Sequence, residues 1–347
     1  MKAAFFTAIR ELEIREVPDP KIQAADEVLL RIDTVGICGS DVHYYNEGNI
    51  GSLVVEYPCM TGHECGGTVA EVGGGVTGLK VGDRVAVDPL ITCGKCDQCV
   101  IGRRHTCRNQ RFLACPGQAP GAIAELLVMP QDCCYVIPDS VSFEEAALCE
   151  PLAIGVYAHA LSGMAPAHTA AILGSGSIGL CVLAAIRAAA DSPVYMTDLL
   201  AERVAFAKNY GANWAGNPEK EDIVAAILEH QPKGLDIVFE CAGEQDTIDQ
   251  AVDLLKPGGR LMLVGIPETP RISVVIDVAR RHELTIQNVR RQNECVQPAI
   301  DLIASGRIDV KPLATHRFTL DQTKEAFDLV LGYSDGVIKA MVEVGDR

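Results

Sequence analysis

Aromatic side chains are scarce: they make up 5% of the 347 residues, with a single Trp. That composition argues against a module built on aromatic platforms. With 32 Gly and 48% hydrophobic residues, it favours the close packing of parallel strands and helices, an α/β protein. Positive charge is also in short supply. Lys and Arg number 30 against 46 Asp and Glu, a formal net charge of −16, and a field of that sign repels phosphate backbones and anionic membranes. Nucleic acid is therefore not an expected partner. No apolar run reaches the ~18 residues needed to span a bilayer, so no membrane association is expected either. The stretch 1–15 carries Lys2, Arg10, Glu11 and Glu13 with no apolar stretch of signal-peptide type. It reads as a first strand of a cytoplasmic protein, and the length suits about two domains.

Cysteine is what the chain has in abundance, with 14. Thiols in the cytoplasm stay reduced, so the question is which of them are spaced to hold metal. Cys93, Cys96, Cys99 and Cys107 follow C-x2-C-x2-C-x7-C in a polar stretch with Gly94, Lys95, Asp97, Gly102 and Arg103. Tight turns between such spacings let four thiolates converge on a tetrahedral zinc. Four thiolates leave no position for substrate, so this zinc orders a lobe too polar to fold by burial alone.

A second set of candidate ligands lies upstream, in Val35 to His43 and in Gly62-His63-Glu64. Cys, His and carboxylate are zinc donors, and three protein ligands with an open fourth position make a catalytic arrangement. Glycines on both sides of Cys38 let the backbone turn beneath a metal.

Further on, the apolar run 169–173 leads into Gly174-Ser175-Gly176-Ser177-Ile178-Gly179 and a helix-like stretch over 180–190. A second strand, 194–197, ends at Asp198, 19 positions after Gly179. This is the strand, G-x-G-x-x-G, helix pattern of a dinucleotide fold, with the acidic residue where a ribose requires it. Gly174 makes the turn, Gly176 admits the pyrophosphate and Gly179 allows close packing, while Ser177 and Ile178 open the helix. Asp198 accepts from the adenosine ribose and repels a 2′-phosphate, and Leu199 offers that phosphate no partner, so NAD is favoured over NADP. Arg203 is grouped with these residues as cofactor-binding. Helices over 203–210, 222–230 and 246–255 alternate with strands over 235–240, 260–265 and 284–287, and 256–259 forms a turn. The organisation expected is a β-rich domain over 1–151, a doubly wound parallel sheet of about six strands over 152–289, and a tail, 290–347, that packs back on the first domain.

These features, in this order, resemble the zinc-dependent medium-chain dehydrogenase/reductase family. Gly62-His63-Glu64-x2-Gly67-x5-Gly73-x2-Val76 is similar to its zinc signature, Val81-Gly82-Asp83-Arg84-Val85 is similar to the strand that comes after it, and the likeness runs over essentially the whole chain. Within the family, Gly36 to Tyr45, Glu150-Pro151-Leu152 and Lys311 to Phe318 resemble the sorbitol (polyol) dehydrogenases most. The resemblance implies a GroES-like β-rich catalytic domain, a Rossmann domain and a homotetramer. It implies two zinc ions per chain. The catalytic one has Cys38, His63 and Glu64 as direct ligands and Glu150 close by, often reaching the metal through water. Cys149 competes for that last slot under a one-residue shift, and Cys65 reads as a small core residue.

The activity implied is hydride transfer from a secondary alcohol of a sorbitol- or xylitol-like polyol to NAD, giving a ketose. Ser40 is similar to the family's relay hydroxyl, and His43 passes the proton to solvent. Asp41, beside both, reads as a structural acceptor. Tyr44 and Arg291 match substrate-side positions. Arg290-Arg291-Gln292 departs from the Phe-Arg-Tyr of polyol dehydrogenases, and Phe112 to Pro116 only loosely follows their pocket loop, so a more polar pocket and a cyclic or carboxylated substrate come into view. The alternatives are a threonine- or inositol-type zinc dehydrogenase, or a non-catalytic NAD-binding homologue. A zinc-ribbon adaptor would explain the four cysteines but not the glycine loop.

Overall fold

A computed structural model describes residues 1–267 and 269–345. The chain divides into two units, Met1–Glu150 together with the chain from Val296 onward, and Pro151–Cys295. Residues 290–295 thus fall in the second unit, not in the returning tail. Among the described residues no helix is long and apolar enough to cross a membrane.

The first unit is built on a seven-stranded sheet. Its strands run in the order Cys134–Val136, Arg84–Val87, Glu64–Val72, Glu27–Gly36, Lys339–Glu343 and Ala314–Thr319, with Leu126–Pro130 also paired to Glu27–Gly36. Val28, Leu30 and Ile32 are fully buried on alternate positions of Glu27–Gly36, the period-2 pattern of a strand with one face on the core. The register of this sheet gathers three distant segments at one point. Gly36 lies opposite Glu64 in one antiparallel pair and opposite Met341 in another, so the chain just beyond Gly36, the start of Glu64–Val72 and the start of Lys339–Glu343 converge. The amino-terminal stretch is a hairpin, not one strand. Lys2–Ala8 pairs with Glu11–Glu16, and Arg10 turns the chain with φ 58°. No glycine marks this turn; tertiary bonds hold it, with Arg10 N donating to Tyr45 O at 2.8 Å and Tyr45 Oη to Arg10 O at 2.9 Å.

The second unit is a six-stranded parallel sheet. The order is Trp214–Gly216, Val194–Thr197, Ala170–Leu173, Leu235–Glu240, Leu255–Leu263, Thr285–Asn288. The chain therefore reverses direction of assembly at Ala170–Leu173, and the crevice beyond the carboxyl ends of its central strands is the place where such sheets bind ligands. Ala170 to Leu173 are all at 0% exposure, as befits a strand covered on both faces. The three-residue strand Trp214–Gly216 is too short to leave a periodic signal. Lys256 to Gly259 lies inside a strand, where the partner register jumps from Leu235↔Leu255 to Ile237↔Arg260, a bulge where sequence suggested a turn.

Candidate metal centres and dinucleotide site

The four-cysteine lobe is organised by the helix Asp97–Val100 and the 3₁₀ turn Arg104–Thr106. Cys107 Sγ lies 3.5 Å from Cys93 Sγ and 3.8 Å from Cys96 Sγ, while Cys96 and Cys99 are 3.6 Å apart. Ligands at ~2.3 Å around a tetrahedral zinc stand ~3.8 Å from one another, so the lobe fits that ion. Backbone N–H groups of Lys95 and Cys96 favour the Cys93 thiolate and draw its pKa down to about 6. Arg108 clamps Asp97 outside the cluster, with Nη2 to Oδ2 at 2.8 Å, and holds that carboxyl well below the usual carboxylate range.

The second centre sits where the three strand ends meet. Cys38 is the N-cap of the helix Gly39–Glu47, His63 precedes the strand Glu64–Val72, and Glu64 begins it. One donor atom from each of the three lies within 4.8 Å of the others. His63 Nδ1 donates to Asp41 Oδ1 at 3.2 Å, which leaves Nε2 available to a metal. Asp41 also accepts from Thr61 Oγ1 at 3.4 Å and, through Oδ2, from Cys38 N at 3.4 Å. One buried carboxylate thus orients two of the three donors. Burial works against a charged His63, but the adjacent Asp41 carboxylate and Cys38 sulfur outweigh it and raise its pKa well above the ordinary value. Glu64 is fully buried, and its Oε2 has no hydrogen-bond partner among the described residues. A Cβ on Gly36 would run into that oxygen. A buried, orphaned carboxylate oxygen beside a thiol and an imidazole fits a dication.

Glu150 lies outside that group of three. It is 4% exposed with no hydrogen-bond partner for Oε2 among the described residues, and burial pushes its pKa up to about 7, His63 pulling it down and Glu64 pushing it up. Cys149, its rival in sequence, turns back along its own helix and donates to Glu145 O at 3.2 Å. Ser40 Oγ is 3.3 Å from Cys38 Sγ. His43 is half-buried one turn further along the same helix, where i and i+3 share a face. Tyr44 is buried with its hydroxyl 3.8 Å from Cys115 Sγ. Arg291 belongs to the second unit and adopts φ 53°.

Sequence reasoning left Asp41 as a structural acceptor without seeing that it holds His63, and it missed Lys339 altogether. Lys339 is 2% exposed and places Nζ 2.7 Å from Glu64 Oε1. The signal was there: a lone Lys inside the apolar run 337–342 must find a partner when buried.

In the second unit the glycine loop closes as its residues require. Gly174 has φ 102°, and a Cβ on Gly179 would run into the Gly174 carbonyl. Gly176 caps the helix Ser177–Ala189, and a Cβ there would meet only Arg203 Nη1, at 3.7 Å, so the loop's outer face is open for a pyrophosphate. Ser177 and Ile178 contribute the helix's first N–H groups. Asp198 Oδ1 accepts from Leu200 N at 3.0 Å, and Leu199 is 57% exposed.

This pairing of a β-rich unit carrying two candidate metal centres with a dinucleotide-type sheet defines a class, and comparison with known proteins gives it a name. Residues 24–139 match the alcohol dehydrogenase GroES-like domain, and residues 177–305 match the zinc-binding dehydrogenase domain. The chain is 39% identical over 343 residues to a sorbitol dehydrogenase of Bacillus subtilis, covering 99% of this chain and 97% of the relative. It is 36% identical to an L-idonate 5-dehydrogenase of Vitis vinifera, covering 94% and 90%. The structure of an Escherichia coli oxidoreductase/dehydrogenase of unknown specificity superposes with a TM-score of 0.93 at 34% identity, covering 99% of each chain. The chain belongs to the zinc-binding alcohol dehydrogenase family. It is an enzyme, a zinc-dependent oxidoreductase, and the resemblance carried by its motifs holds.

Proposed function

We propose that this enzyme oxidises a secondary hydroxyl of a polyol to a ketone with NAD as acceptor. The observation that carries this reading is the Cys38, His63 and Glu64 group in a chain whose relatives include a sorbitol dehydrogenase. Cys38, His63 and Glu64 would hold the catalytic zinc, and Cys93, Cys96, Cys99 and Cys107 a structural one. When bound, zinc acidifies the carbinol hydroxyl and NAD accepts the hydride.

The chain's own groups handle the proton and the orientation. Ser40 Oγ, beside Cys38, takes the alcohol proton, and His43, one turn on, passes it to solvent. Asp41 fixes the His63 ring. Glu150, buried and acted on electrostatically by both His63 and Glu64, would lie close to the metal and reach it through water. Gly174, Gly176, Ser177, Ile178 and Gly179 seat the pyrophosphate. Asp198 bonds the adenosine ribose, and Arg203 flanks the loop. Tyr44 and Arg291 bind the remaining substrate hydroxyls.

Arg290 next to Arg291, and the L-idonate 5-dehydrogenase relative, also favour a sugar acid, whose carboxylate an arginine pair would engage. A homotetramer is proposed from exposed Ile286 on the edge strand Thr285–Asn288 and exposed Ile276 at the start of the helix Ile276–Arg281. A reducing, cytoplasmic location is proposed from fourteen cysteines, none of them in a disulfide and five of them assigned to zinc. The test is a substrate panel of sorbitol, xylitol, an aldonate, threonine, inositol and ethanol, each with NAD and with NADP, read out by reduced-nicotinamide absorbance. Polyol or aldonate turnover with NAD supports the reading; turnover of threonine, or of ethanol alone, overturns it.

A further inference from the structure

Lys339 is the one Lys or Arg buried among the described residues, and it touches both of the chain segments that form the catalytic-type centre. Its Nζ donates to Glu64 Oε1 at 2.7 Å and to Ile37 O at 3.1 Å. Ile37 is the residue before Cys38, and its N–H donates to Ala340 O at 2.9 Å. The strand that starts at Lys339 is therefore stitched to the Cys38 loop by backbone and to Glu64 by side chain. Lys339 and Glu64 are 2% and 0% exposed, so neither charge is screened by water, and each would be costly without the other. Glu64 has two oxygens. One is held by the ammonium, and the other, Oε2, lies against Gly36 with no hydrogen-bond partner among the described residues.

We infer that Lys339 is a positioning residue that keeps Glu64 a one-oxygen ligand and tempers the affinity of the centre for its metal. The inference rests on the reading that Cys38, His63 and Glu64 hold zinc. Two physical effects act in the same direction. The buried ammonium repels a dication, and it withholds Oε1, so Glu64 cannot give both oxygens and crowd the position that substrate needs. Removing the charge frees Oε1 and lifts the repulsion. If Lys339 were only a brace for the fold, its loss would loosen the ligands and release the metal faster. The sign of the change separates the two roles.

The experiment measures zinc release from the purified full-length enzyme to excess chelator with a zinc-sensitive dye, together with zinc content, kcat and KM. Lys339→Met is expected to retain both zinc ions, to release the catalytic one about tenfold more slowly, and to lose kcat. Lys339→Arg, which keeps the charge, is expected to release it at the wild-type rate. Lys339→Gln keeps a donor for Glu64 while deleting the charge, and replaces Lys339→Met if that variant does not fold, with the same expected slowing. Unchanged or faster release in the folded charge-deleting variant overturns the inference. His63→Ala serves as the control: if it still holds two zinc ions, the assignment of the centre itself fails, independently of Lys339.

Discussion

The backbone N–H of Ser175 donates to Asp198 Oδ2 at 2.9 Å, so the residue that would read the ribose also ties down the loop that would bind the pyrophosphate. Asp198→Ala combined with Leu199→Arg is expected to raise NADP turnover and to lower NAD affinity more than the loss of a ribose contact alone explains. Initial rates with both cofactors check this. Comparable use of NAD and NADP by the unaltered enzyme would contradict it.

If the two candidate centres have the proposed structural and catalytic roles, they should respond differently to mutation. Cys96→Ser is expected to cost several degrees of melting temperature through the lobe, whereas His63→Ala should fold and lose hydride transfer. Metal analysis of the wild type should return two zinc ions per chain, and a value of one would refute the assignment.

A Cβ at position 36 would run into Glu64 Oε2 and fits only if that carboxylate shifts. Gly36→Ala is expected to displace Glu64, lower zinc content at the catalytic centre and destabilise the fold by roughly 1–3 kcal/mol. Denaturant melts and zinc content together test it, and a fully loaded, wild-type-like Gly36→Ala protein would show that Glu64 is not confined there.

Burial holds the pKa of Glu150 at about 7 against an ordinary 4.5. With its folded value raised, Glu150 binds a proton in the folded chain more readily than in the unfolded one between those limits. Its stabilising contribution is therefore largest at low pH and is lost as pH rises towards 7. In protein stripped of the catalytic metal, Glu150→Gln should flatten that part of the stability profile. An unchanged slope between pH 4.5 and pH 7 would exclude Glu150 as its source.

Arg291 combines a proposed substrate contact with a left-handed backbone, φ 53°. Arg291→Ala is expected to lower kcat/KM for a polyol by about tenfold, from leaving buried hydroxyls unmet. Arg291→Gly should lose the same activity but be more stable than Arg291→Ala by about 0.5–1 kcal/mol, since glycine adopts that φ freely. Ethanol should be a poor substrate for all three proteins, and equal rates on ethanol and polyols would dissociate Arg291 from specificity.

Features that act over a few residues were legible in the sequence. The four-cysteine spacing is a local matter of turns, and the glycine loop with Asp198 is a single strand-turn-helix-strand unit, so each could be read without knowing the rest of the fold. Cys38 and His63 were legible as a pair of motifs, though nothing in their spacing says how they meet. That is decided by the register that sets Gly36 opposite Glu64. Helix phase, which a one-residue ambiguity obscures, turns Cys149 onto its own backbone and leaves Glu150 within electrostatic reach of His63 and Glu64. The partners of the ligands lay furthest out of reach. Asp41 finds His63 across 22 residues, and Lys339 finds Glu64 across 275. A buried charge announces only that it needs a partner, and which one it finds is settled when distant strands align in one sheet.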